Sequence, residues 1–402
     1  MYPAGLIAFG IGYLGLALAV ARGRGPVAAI GVMIGVYGLY TLIYSGPSVV
    51  SRSLLNLLEW SNLSVFVYIF LSLMIAGLLR ELGYLDQMVA GASSIGCRFS
   101  YAAVPAIIGL LPMPGGAIVS AIAMKKRYLE ESGMSAEWAS YLNYWFRHIW
   151  IPSWPLFQSV VITAAVFSVT PIEIVSVTWP ATIVTVFAGI AVGYTAFYKY
   201  TCTSDGRILY LLRSLWPFLL LAALVVSGSL TLLNALIVTL LAVIVILRPD
   251  SRQLLGALKL ALKPRIHAIL FEALLLKEML LNTDAPYELY NTAELLGLPT
   301  LSIVFLVPFI LGLAAGGENF FAATAMPLLK AYIVMGGSIN NAMLLAAYTG
   351  GFMGVMASPV HLCYALTVDY YKARAGRVLL FSLASVMLVS GIILMYIHAI
   401  MM

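Results

Sequence analysis

Apolar residues in this chain come in long runs, separated by short clusters that carry most of the charge. Runs of about 18 residues or more predict membrane-spanning helices. In the first half they fall at 4–21, 26–45 and 62–79, followed by the amphipathic stretch "YLDQMVAGASSIGCRF". A run over 99–124, a long one over 136–170 and another over 176–198 complete that half. The second half repeats the plan at 209–228, 230–247, 266–281, 299–329, 338–368 and 377–400. Some of these runs contain strong helix breakers. "GLLPMPGGAIVS" sits in the middle of the run over 99–124, and "RHIWIPSWP" interrupts the run over 136–170.

The two halves share landmarks in the same order, as an internal repeat requires. "VPAIIGLLPMPGGA" from Val104 is answered by "VPFILGLAAGGENF" from Val307, and "LLREL" from Leu78 by "LLKEM" from Leu275. Tyr144 precedes the proline-broken "RHIWIPSWP", and Tyr348 precedes "GGFMGVMASP". The orientation of the repeats depends on whether each Gly-Gly run crosses the membrane or turns back. If it turns back, each half has five crossings and the second half is inverted. Eighteen of the 22 basic residues then share one face, Arg52, Lys277 and Lys330 take the other, and Arg147 lies within a span. That asymmetry fits the excess of Lys and Arg on cytoplasmic loops. The expected fold is therefore an all-α polytopic membrane protein with about ten transmembrane helices in two inverted repeats, 1–200 and 201–402. Each repeat carries three scaffold helices, a re-entrant hairpin (99–124 and 299–329), a broken helix (136–170 and 338–368) and a last helix (176–198 and 377–400). The termini are expected outside, in a multi-pass protein of the cell membrane. Proline ends the descending helix and glycine allows the turn. Irregular backbone at that depth is tolerated only against protein or a wet cavity.

Composition agrees. The chain is 62% hydrophobic and 9% charged, against about 25% charged in soluble domains, with a mean hydropathy of +1.00. The net charge of +6 follows from the cytoplasmic loops, so a lipid bilayer is the expected partner and nucleic acid is not. The segment Ala4 to Ala21 has no basic residue before it and is followed by Arg22 and Arg24, which predicts a retained span instead of a cleaved signal. Cys97, Cys202 and Cys363 are far apart in sequence and suggest neither a disulfide framework nor a metal cluster. Only Gln87, Gln158 and Gln253 are glutamines, a scarcity seen in heat-adapted proteins.

The hairpin tips and broken spans resemble those of the ion transporter superfamily of secondary carriers, which includes gluconate, C4-dicarboxylate, citrate and arsenite carriers and some sodium/proton antiporters. The chain looks closest to one of that group's uncharacterised integral-membrane families. The resemblance implies a scaffold, a mobile transport part holding both hairpins, a homodimer and elevator-like alternating access, with Na+ as a possible coupling ion. Many carriers of this group place Ser, Asn and Thr side chains at both tips. Here the first tip, Pro112 to Ala117, offers almost only backbone, while the second has Gly316, Gly317, Glu318 and Asn319.

Several residues could carry chemistry. Pro114, Gly115 and Gly116 are the substrate-binding candidates of the first tip, with free N–H groups from about Gly116, and Gly316, Gly317 and Asn319 are those of the second. Facing helix starts of this kind make an anion site. Arg147 and His148 lie about 17 Å into their span, near the middle of a ~30 Å core, where an ionisable residue is a functional candidate. A cation also suits a helix C-terminus, so dipole compensation is the structural alternative. Glu318 is the one acid at a tip. It either couples transport, with Asn319 and His361 as further ion ligands, or simply occupies a favourable first helical turn. Thr349 and Ser358, with carbonyls freed by Pro359, are further substrate ligands. Gly350, Gly351 and Gly354 read more simply as close-packing positions. Trp138, Tyr144, Trp145, Trp150 and Trp154 either wall a pocket or pack between helices. "KKRYLEESGMS" reads as a solvated loop, and "RPDSRQLLGALKLALKPR" as an amphipathic surface helix.

The leading expectation is a secondary transporter of a small, organic anion coupled to H+ or Na+. A cation/proton antiporter of the same architecture is the alternative. No HExxH, GxSxG or Walker A pattern occurs, so an enzyme is not expected, nor a cofactor or resident metal.

Overall fold

The computed structural model describes residues 4–22, 26–110, 116–155, 157–201, 207–227, 230–335 and 338–401. They are almost entirely helical, and the exception is a two-residue antiparallel ladder, Val334–Met335 with Ser338–Ile339. Five helical segments are long and apolar enough to cross a membrane by length and composition: Asn62–Glu81, Pro171–Lys199, Ile208–Val225, Asn341–Tyr371 and Ala375–Met401. Among them, exposed faces carry large apolar side chains such as Phe187, Leu219 and Met387.

The first elements are α1 (Ala4–Ala21), α2 (Pro26–Tyr40), α3 (Pro47–Asn56), α4 (Trp60–Glu81) and α5 (Tyr84–Ser93). Next come α6 (Cys97–Gly109) and α7 (Gly116–Lys125), flanking the first tip; Pro114 and Gly115 lie outside the described residues. The broken span resolves into α8 (Ala136–Arg147) and α9 (Gln158–Phe167), followed by α10 (Pro171–Lys199). The Ser135 side chain caps α8, and a Thr170–Glu173 capping box with Pro171 at the first turn starts α10, five residues before the apolar run suggests.

The later elements are α11 (Ile208–Val226), α12 (Leu232–Leu247), α13 (Ser251–Ala261), α14 (Pro264–Leu281) and α15 (Ala285–Leu295). After them come α16 (Thr300–Ala315), α17 (Glu318–Leu328), α18 (Lys330–Ile333), α19 (Asn341–Ala357), α20 (Leu362–Tyr371) and α21 (Ala375–Met401). Gly316, at φ +60, ends α16 in the left-handed conformation that favours glycine.

Packing around the two broken spans is reciprocal. Helix α7 lies against α20, and α17 lies against α9. The Tyr144 hydroxyl, on α8, reaches the carbonyls of Val355 and Met356 at 3.3 and 3.2 Å, where α19 ends. The Tyr348 hydroxyl, on α19, donates to the Ile151 carbonyl at 3.0 Å, in the break after α8. Each tyrosine thus satisfies backbone groups that the other break leaves without a helical partner.

Helices α16 and α19 pack backbone to backbone, and every residue from Ala342 to Ala357 is buried. A Cβ on Gly350 would lie 2.2 Å from the Phe305 carbonyl oxygen, and one on Gly354 would lie 2.0 Å from that of Phe309. The close-packing reading of these glycines holds.

Several elements differ from expectation. Helices α3 and α15 fall between the expected spans, and the short ladder runs into the start of the expected 338–368 span. Helix α3 is held to α14 by Asn56 Nδ2, which donates to Glu278 at 3.0 Å, while Asn62 Nδ2, on α4, donates to the other carboxylate oxygen at 3.0 Å. Lys277 pairs with Glu278 at 2.9 Å and bonds Asn62 Oδ1 at 2.7 Å. Replacing Glu278 with alanine would strand these donors at a buried site. It is expected to cost about 3 kcal/mol, read as a lower midpoint of thermal unfolding in detergent.

The stretch after α7 is not fully solvated either. It forms a π-helical turn in which Arg127 is buried, pairing with Glu131 at 2.9 Å, and Tyr128 donates to the Tyr101 carbonyl at 2.5 Å. Helix α13 keeps one amphipathic face but presses its small residues onto α4, with Ala257 against Gly77. Cys97 is in a disulfide, contrary to the reading of the cysteines as separate, whereas Cys363 is free and buried. Trp145 and Trp150 donate to the carbonyls of Thr185 and Ala106, each at 2.9 Å, and Trp138 stacks on Phe381 at 3.9 Å. Those three tryptophans are packing posts.

Candidate functional site

Charged and polar side chains from four elements converge on a cavity of about 290 Å³. Its wall is formed by the end of α8 and the break after it, the α16–α17 turn, the start of α20, and faces of α4 and α14. From the first broken span come Arg147 and His148, where α8 ends one residue before the His148 cap. From the α16–α17 turn come Gly316, Gly317, Glu318 and Asn319, and from the second break come His361 and Cys363. Lys277 lines the wall from α14.

Arg147 and His148 are almost fully buried. The guanidinium lies directly on the start of α7, and a Cβ on Gly116 would sit 2.0 Å from Arg147 Nη2. A Cβ on Gly109, at the end of α6, would likewise meet the Arg147 carbonyl at 2.1 Å. Glycine is thus needed on both sides of the first tip for the hairpin to close on Arg147. The positive end of α7, the guanidinium and the first turn of α17 bring three positive sources toward one cavity.

Glu318 is half-buried at the first position of α17. Ser159 donates to its Oε2 at 3.1 Å and also contacts the Tyr348 hydroxyl at 2.8 Å. The second tip is therefore tied to α9 and α19 through one carboxylate.

His148 Nδ1 lies 2.6 Å from the Tyr144 carbonyl, and His361 Nδ1 bonds the Gly316 carbonyl. The two Nε2 atoms face each other at 3.2 Å. The Cys363 thiol reaches both rings, and one ligand atom from each of the three residues can be chosen so that none is more than 4.8 Å from another. This grouping can hold a cation.

The structure unites part of the expected set. Arg147, His148, Gly316, Gly317, Glu318, Asn319 and His361 share the cavity. Gly116 backs Arg147 from behind the wall. Ser358 donates to the Leu313 carbonyl at 2.7 Å, and Thr349 is fully buried; neither lines the cavity. None of the five aromatic residues lines it either.

Two lining residues escaped the sequence. Lys277 counts as a loop residue by charge, although "FEALLLKEMLL" sets it inside an apolar run. Cys363 has no local signal, because its histidine partners come from two different breaks, 213 residues apart.

A helical protein with several segments able to span a membrane, closed around a buried charged cavity, is the class that this fold and site define. Its family is one described as protein of unknown function (DUF401): the family model matches residues 25–401, and the chain belongs to that family. No curated protein matches the sequence.

Proposed function

We propose that the chain is a secondary active transporter of a small organic anion across the cytoplasmic membrane, with Arg147 as the principal anion ligand. The observation that carries this reading is the guanidinium pressed against the start of α7 while it also lines the cavity. A cation at the positive end of a helix is electrostatically unfavourable, and an anion in the adjoining cavity, against the guanidinium, offsets both positive sources. Gly316, Gly317 and Asn319 add the start of α17 to the same site. Glu318, tied to Ser159, is the coupling group for H+ or Na+, with Asn319 and His361 beside it.

The architecture proposed is about ten crossings in two inverted repeats, 1–200 and 201–402, as in the ion transporter superfamily. It draws support from the crossed packing of α7 on α20 and α17 on α9, and from the reciprocal bonds of Tyr144 and Tyr348. An elevator movement in a homodimer, with both termini outside, completes the proposal. On that orientation the disulfided Cys97 faces the cytoplasm, an arrangement found in hyperthermophile proteins and in keeping with the few glutamines.

The half-buried Glu318 carboxylate favours the second reading, a cation/proton antiporter in which Arg147 is structural. A thermal-shift screen of small anions, with and without Na+ at two pH values, tests the transporter reading. An anion at 100 times its dissociation constant should stabilise the protein by about 2.7 kcal/mol. Stabilisation by Na+ or pH alone, with no anion effect, would favour the antiporter.

A further inference from the structure

Two histidines and a cysteine at the cavity wall are arranged as ligands before anything binds to them. The Nδ1 atoms of His148 and His361 both meet backbone carbonyls, from Tyr144 and Gly316. A carbonyl oxygen only accepts, so the proton of each neutral ring sits on Nδ1. Each Nε2 then presents a lone pair, and these two atoms point at each other across 3.2 Å. Arg147 Nη1, at 3.5 Å from His148 Nε2, is too far to satisfy it well. Two facing lone pairs repel unless a cation sits between them.

The spacing suits a metal ion. Two nitrogens at 2.0–2.1 Å from a tetrahedral centre lie ~3.3 Å apart, and a thiolate sulfur at 2.3 Å completes such a set about 3.6 Å from each. The ligand atoms of His148, His361 and Cys363 already lie within 4.8 Å of one another. Histidines that bind metals commonly hold their other ring N–H on a carbonyl, as both do here. All three side chains are buried and line the cavity, so an ion entering it meets all three.

We propose that His148 Nε2, His361 Nε2 and Cys363 Sγ bind one transition-metal ion of the zinc class, with the fourth coordination position open to the cavity. The nitrogen–sulfur set favours a borderline-soft ion over Mg2+ or Ca2+. On binding, the Cys363 S–H bond breaks, an S–metal bond forms, and the proton leaves to water through the cavity. The thiolate and the Glu318 carboxylate offset part of the ion's charge and that of Arg147. Metal binding does not depend on the cavity carrying an anion, so this inference stands apart from the transport reading.

The experiment uses the full chain without a histidine tag, purified in detergent, stripped with a chelator and loaded with ZnCl2 or CoCl2. One zinc per chain is expected after gel filtration. Cobalt should give the intense visible bands of a tetrahedral site and a near-ultraviolet thiolate charge-transfer band. Cys363→Ser should abolish the charge-transfer band, and His148→Gln or His361→Gln should weaken zinc binding at least tenfold. The remaining histidines are His267 and His398, and the double variant His267→Gln/His398→Gln should keep the ion. Cys363→Ser is close in size to the wild type, so its gel-filtration profile separates loss of metal from loss of fold. Monodisperse wild-type protein without stoichiometric zinc would overturn the proposal, as would binding that survives all three ligand substitutions.

Discussion

Replacing Gly354 with alanine is expected to leave little monodisperse protein. The new Cβ would lie 2.0 Å from the Phe309 carbonyl oxygen and 2.7 Å from its carbonyl carbon. Both are backbone atoms, so no rotamer change relieves the clash, and α16 and α19 must separate by more than an ångström. That separation would also open the contacts of Gly350 with Phe305 and of Gly312 with the Gly351 carbonyl. Overpacking a well-filled core costs about 1–3 kcal/mol; here a whole helix interface shifts, and the cost should reach or exceed the top of that range. Gly391, in α21, is the control because a Cβ there meets nothing within 4 Å. Gly391→Ala should be neutral or stabilise by about 0.5–1 kcal/mol through helix propensity. Comparing the two midpoints of thermal unfolding separates interface packing from propensity. Equal midpoints would show that the α16–α19 contact is looser than described.

The second large effect is at Arg147. Arg147→Ala should weaken anion binding by about 100-fold, about 3 kcal/mol, as expected when one partner of a desolvated charge pair is removed. Arg147→Lys should restore little of it, because a single ammonium cannot reproduce the planar fork of donors. Gly116→Ala tests the same contact from behind. Its Cβ would displace the guanidinium from the start of α7, and anion affinity should fall with the arginine still present. Reconstituted vesicles provide the discriminating measurement. Loss of anion uptake with cation/proton exchange intact would assign the antiporter function and leave Arg147 a structural role.

Most helices were legible because an apolar run in a lipid-facing chain has one stable outcome. The expected breaks also appear: α6 ends at Gly109, ahead of the first tip, α16 ends at Ala315, next to Gly316, and α8 stops at Arg147 before Pro152 and Pro155. Helices α3 and α15 were not legible, since "PSVVSRSLLN" and "APYELYNTAEL" are too short and too polar to signal helix alone. Tertiary bonds to Glu278 hold the first. The buried state of Arg127 and Tyr128 was likewise hidden, because a basic cluster looks solvated until its neighbours are known.

By itself the sequence determined the class, the helical segments, the broken helices and the candidacy of Arg147, His148 and Glu318. Those follow from local rules: hydrophobic run length, backbone chemistry at proline and glycine, and the rarity of charge in apolar runs. The tertiary structure decided which of these residues meet. It brought Lys277 and Cys363 into the cavity, turned two histidine lone pairs toward each other, and seated a guanidinium on a glycine. Such contacts are set by how helices distant in the chain cross, and no local pattern encodes a crossing.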